Sequence, residues 1–146
     1  MSLADSEVPL TPLEEYFFLE DRQAYPWSFF VRLEFTGRAD REACRTAFRN
    51  GAARHPRLSS LVHRGGSGRL TWRRVANPVP DVRWTAEAAA KTYRSATRLD
   101  VLEEIGVRVH AAVGRQNTQL IFQFHHACCD GRGALAFIED WLGEDA

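Results

Sequence analysis

One segment gathers side chains that could do acid–base or metal chemistry: Phe124-His125-His126-Ala127-Cys128-Cys129-Asp130-Gly131. A neutral imidazole accepts a proton near neutral pH, which is what a general base must do. Asp130 lies four residues beyond His126. A carboxylate there can cap a following helix, or orient the histidine loop through a cation. Gly131 permits a tight turn. Two other chemistries use the same residues. A zinc site would draw on His125, His126, Cys128, Cys129 and Asp130, but zinc signatures use spaced cysteine pairs, and adjacent residues of an extended chain diverge. A cysteine–histidine nucleophile pair would use Cys128 or Cys129, but nothing nearby in sequence lowers a thiol pKa. The plain alternative is structural: packed histidines at a strand end, Asp130 a helix cap, and Cys128 and Cys129 filler of the turn.

The elements that must position this segment are read from periodicity. Leu120, Phe122, Phe124 and His126 share one face of a strand, and Ile121, Gln123 and His125 the other, so the two histidines diverge. Ile105 to Val113 alternate as the preceding strand, with Gly114 to Asn117 as the turn. A helix from Gly131 to about Leu142 is expected to bury Leu135, Ile138, Trp141 and Leu142. Upstream, Thr11-Pro12-Leu13-Glu14 reads as a capping box opening a helix to about Asp21. Residues 28–36 alternate as a half-buried strand. A helix spans about Asp40 to Arg54, ended by Pro56, with Cys44, Ala47, Phe48 and Gly51 at helical spacing and Cys44 as a small core residue. Residues 59–64 and 69–75 form a hairpin around Gly65-Gly66-Ser67-Gly68. Asn77 to Pro80 read as a loop, Val82 to Trp84 as a short strand, and residues 86–97 as an alanine-rich helix. The fold class is α/β: a two-layer sandwich in which a mixed, largely antiparallel sheet packs on helices.

The chain of 146 residues suits a single domain over 1–146, with residues 1–8 expected to be mobile. Apolar residues make up 45% and charged residues 26%, enough for one core. Formal net charge is zero, with no basic run, so no nucleic-acid partner is expected. No apolar stretch is long enough to span a membrane, and the start lacks a secretory pattern. Three cysteines, two of them adjacent, make a poor disulfide framework and point to the cytoplasm.

The run from His125 to Gly131 has the form H-H-x-x-x-D-G. It resembles the signature of the chloramphenicol-acetyltransferase-like superfamily, which includes the condensation domains of nonribosomal peptide synthetases. Pro9-Leu10-Thr11-Pro12-Leu13-Glu14 is similar to the opening segment of condensation domains, with Glu14 for the usual glutamine. Asp40 to Arg57, with Ala53-Arg54-His55-Pro56, is similar to the first long helix and its R-H-x-x-L end. The resemblance covers nearly the whole chain and is closest to the N-terminal lobe of a condensation domain, one lobe of a coenzyme-A-dependent-acyltransferase-like fold. It implies acyl transfer from a thioester, on coenzyme A or on the 4'-phosphopantetheine arm of an acyl carrier protein, to an amine or hydroxyl. That donor is a substrate, and no covalently bound cofactor is expected. His126 is then the general base, His125 and Asp130 support the motif, and Gly131 leaves room beside the pantetheine tunnel. Ser59 departs from the pattern: the family carries an arginine there to pair with the motif aspartate, and Arg57 and Arg64 lie nearby at the wrong spacing. The chain also ends just after the helix that follows the motif, so a second lobe or an oligomer partner is expected to complete the site. The alternative is a catalytically silent condensation-like interaction module.

Overall fold

A computed structural model describes residues 7–76, 78, 81–85 and 97–143. The elements run β1 (Glu7–Pro9), α1 (Pro12–Glu20), β2 (Ser28–Thr36), α2 (Arg41–Ala53), a 3₁₀ turn (Pro56–Ser59), β3 (Ser60–Arg64), β4 (Leu70–Arg74), β5 (Asp81–Thr85), β6 (Val107–Val113), β7 (Asn117–His125) and α3 (Gly131–Gly143). The helix expected over 86–97 and the loop at 77–80 fall largely outside the described residues.

The strands divide into two sheets. One is antiparallel, in the order β1-β4-β3, and the other is mixed, in the order β2-β7-β6-β5. In the second, β5 runs parallel to β6 while β7 is antiparallel to both neighbours. Residues 1–8 were expected to be mobile, yet Glu7 and Val8 pair with Arg73 and Trp72 of β4. Three residues carry no readable alternation, and the ladder hydrogen bonds come from a partner strand far along the chain. Gly68 takes a positive φ of 84° in the β3–β4 turn, a conformation glycine adopts without steric cost.

Strand β7 is central and buried on both faces. Leu120, Phe122 and Phe124 face α2 and α3, where Phe48, Phe137 and Trp141 close an aromatic layer; Phe122 lies 5.5 Å from Trp141 and Phe124 5.9 Å from Phe137. Helix α3 buries Ala134, Phe137, Ile138 and Trp141. The expected stripe is thus corrected at two positions, since Leu135 and Leu142 are exposed. The reason lies in the packing of α3 on α2 and β7: Phe137 and Trp141 fill the aromatic layer with Phe48 and Phe122, which turns Leu135 and Leu142 outward. Cys44 is buried in α2 as expected.

The other face of β6 and β7 carries polar groups that segment 97–105 satisfies. Arg108 is buried and donates to the Thr97 carbonyl, Glu104 and Gln123, and Gln123 donates to the same carbonyl. Buried charges need such partners. Among the described residues no helix is long and apolar enough to cross a membrane.

Candidate active site

The site is built where β7 ends. The β2–β7 ladder pairs Ser28 with His125 and continues one residue further, where the His126 N–H donates to the Trp27 carbonyl at 2.9 Å. Strand alternation sends the two imidazoles apart, as expected. His126 is half-buried in an aromatic cage, with ring centres of Phe29 at 4.6 Å, Phe17 at 5.3 Å and Trp27 at 5.9 Å. This apolar lining disfavours the charged imidazolium, so the His126 pKa is lowered. The ring is therefore mostly neutral at pH 7, the form that accepts a proton.

His125 points the other way and is fully buried. Its Nδ1 accepts the Ala127 N–H at 3.0 Å, which assigns the ring proton to Nε2. Nε2 lies 3.2 Å from Oδ2 of Asp21, at ion-pair range but not aligned for a linear hydrogen bond. Burial lowers the His125 pKa, opposed by the Asp21 carboxylate and assisted by Arg98 and His126. A second proton would cost the bond from Ala127, so this ring is built to hold the turn.

The turn is fixed largely by backbone bonds. The His125 N–H reaches the Gly106 carbonyl at 3.0 Å, and the Cys128 N–H reaches the His125 carbonyl at 2.9 Å. Asp130 caps α3: its Oδ1 accepts the Gly133 N–H at 2.8 Å and its carbonyl accepts the Ala134 N–H. Among the described residues Asp130 makes no ion pair. Ser59 is buried in the 3₁₀ turn and its hydroxyl donates to the His55 carbonyl. Neither nearby arginine replaces the missing partner. Arg57 bonds Glu14 at 3.0 Å and lies over Trp72, and Arg64 lies over Phe18. Among the described residues the motif turn is held by backbone bonds and the Asp130 cap, with no aspartate–arginine pair.

Gly131 has no positive φ, and a β-carbon there would meet nothing within 4 Å. The tight-turn reading is thereby corrected: the lobe itself does not require glycine at 131. Cys128 is more than filler, since it is buried against Gly106. Burial raises its pKa well above the usual thiol value, and burial with Asp130 pushes Cys129 up to about 12. Neither thiol is activated as a nucleophile.

Sequence reasoning missed the group beneath the motif. Asp21, immediately after α1, has a side chain 1% exposed. Its Oδ1 accepts the Trp27 N–H at 2.7 Å and its Oδ2 accepts from Arg98 at 2.8 Å. One signal was available: a carboxylate at a helix C-terminus opposes the helix dipole, so something else must hold it.

No family model matches the chain, and no curated protein matches it in sequence. Solved structures do. The X-domain of teicoplanin biosynthesis, solved in complex with OxyB, superposes with a TM-score of 0.78 at 22% identity, covering 99% of this chain and 34% of that one. The first condensation domain of the calcium-dependent antibiotic synthetase, solved with a substrate analogue, gives 0.78 at 20% identity over 97% and 39%. The starter condensation domain of rhizomide synthetase RzmA gives 0.77 at 16% identity over 94% and 36%. The chain therefore has the fold of a condensation-domain lobe, of the chloramphenicol-acetyltransferase-like kind. It spans just over a third of the length of these structures.

Proposed function

We propose that this lobe belongs to an acyltransferase of the condensation type, with His126 as general base. The observation that carries the reading is a half-buried imidazole, caged by Phe17, Trp27 and Phe29, at the end of the central strand of a condensation-domain fold. In the reaction, His126 takes the proton of an amine or hydroxyl acceptor as its lone pair attacks a thioester carbonyl. The tetrahedral oxyanion then collapses, the C–S bond breaks, and the thiolate leaves and is protonated. The donor is an acyl group on coenzyme A or on a carrier-protein 4'-phosphopantetheine, which acts as substrate. The open space at Gly131 suits the approach of such an arm. A second lobe or an oligomer partner closes the site, because a base on an open face cannot exclude water or align two substrates. Three cysteines, two of them adjacent, make a poor disulfide framework and suit a cytoplasmic setting.

A second reading has one observation in its favour. Among the described residues Asp130 has no arginine partner, and Ser59 stands where that arginine is expected. A silent condensation-like module would keep the fold and dock another protein; the X-domain structure is of a complex with OxyB.

The pH dependence of kcat/KM for an acyl thioester separates the two. A base with a lowered pKa gives an acidic limb whose midpoint lies below the ordinary histidine value of 6.5. Measured on the site completed by its second lobe or oligomer partner, a limb centred above 6.5, or no transfer with any acyl-coenzyme A or carrier-bound thioester, excludes the base.

A further inference from the structure

We infer that Asp21 is the positioning residue of the motif, an assignment that deepens the reading of His126 as base. One buried carboxylate reaches both histidines by different routes. Through Oδ2 it faces Nε2 of His125 at 3.2 Å, on the side of the ring away from the bond with Ala127. Through Oδ1 it accepts the Trp27 N–H at 2.7 Å. Trp27 in turn accepts the His126 N–H on its carbonyl and places its indole edge-on to the His126 ring. The backbone of Trp27 is thus pinned on both sides, by Asp21 and by His126.

The carboxylate is stable there because Arg98 supplies the countercharge. Arg98 donates to Oδ2 at 2.8 Å and keeps 30% of its own side chain exposed, within 3.9 Å of Asp100. The described segment 97–105 therefore ties the far face of the sheet to the motif. Asp21 touches neither reacting atom and acts through Trp27 and His125. Its loss should free the Trp27 backbone, and with it the cage that sets the angle and neutrality of the His126 ring.

The substitutions D21N and D21A separate these routes. An amide oxygen still accepts the Trp27 N–H but removes the charge facing His125, whereas alanine removes both. The measurement is the ¹³Cε1–¹H resonance of each histidine in the full chain. The His126 resonance is displaced by the ring currents of Phe17, Trp27 and Phe29, and His63 in β3 reports on the fold of the other sheet. D21A should lose the His126 displacement with His63 unmoved, while D21N should move His125 and leave His126 in place. A His126 resonance in D21A identical to the wild type overturns the assignment. If D21A abolishes the folded His63 signal, D21N decides alone, and an unmoved His125 overturns it. In turnover of an acyl thioester, kcat should fall on the order of a hundredfold in D21A and return in D21N. The resonance test needs no turnover, so failure of Asp21 is distinguishable from failure of His126 as base.

Discussion

Replacing Gly106 by alanine tests how the motif turn is built. The residue precedes β6, and its carbonyl accepts the His125 N–H at 3.0 Å. A β-carbon at 106 would stand 2.1 Å from the Cys128 sulfur and 2.9 Å from the Cys128 β-carbon. Ordinary contact begins at 3.4 Å, so the turn must shift by about 1 Å, and Cys128 is buried with little room to yield. Overpacking of this kind costs about 1–3 kcal/mol. Gly106 has no positive φ, so the penalty is steric and not conformational. Combining G106A with C128A removes the sulfur contact and leaves the 2.9 Å contact, which predicts partial rescue. The double variant should lose about 1 kcal/mol less than the sum of the two single losses, within the range for residues in contact. Urea unfolding of the four proteins, at constant m, measures each term. Additive energies, or a G106A loss below about 0.5 kcal/mol, would refute the packing argument.

The remaining predictions concern pH and a buried hydroxyl. Because burial lowers the folded-state pKa of His125, the unfolded chain binds more protons below 6.5, so stability should fall as pH drops through that value. The slope from His125 is bounded by about 1.4 kcal/mol per pH unit, with a smaller, solvent-screened share from His126. Glu7, Glu14 and Glu34 have lowered pKa values and contribute only below 4.5, so denaturation between pH 6.5 and 4.5 isolates the histidines. H125Q should flatten that slope, and an unchanged slope contradicts the assignment. Thr118 accepts the Ala39 N–H at 3.0 Å and donates to the Gly37 carbonyl at 2.8 Å while fully buried. Thr118→Val removes both hydrogen bonds to the exposed Gly37 and half-buried Ala39 backbone and should cost about 0.5–1.5 kcal/mol per bond at most in thermal or urea unfolding; a neutral result would contradict a stabilising role for the Thr118 hydroxyl.

Local signals were legible where local chemistry decides structure. The Thr11–Glu14 capping box forms as read, with both of its reciprocal hydrogen bonds present. Alternation placed His126 at the end of a buried strand and sent His125 to the opposite face. What stayed hidden depends on distant contacts. Helical spacing in α3 fits either Leu135 and Leu142 or Ala134 and Phe137, and the packing of Phe137 against Phe48, Phe122 and Phe124 selects the second pair. Arg108 reads as the solvent side of an alternating strand, yet segment 97–105 covers it with acceptors. Asp21 finds its countercharge in Arg98, far along the chain, and no periodicity links the two.

The central claim is that the neutral ring of residue 126 removes the acceptor's proton. Turnover of an acyl thioester by H126A, in the site completed by its second lobe or oligomer partner, beside the wild type and with unfolding midpoints matched, tests it most directly. General-base loss predicts a fall in kcat of about 10²- to 10⁴-fold with the fold retained. A folded H126A that turns over at the wild-type rate would contradict the account.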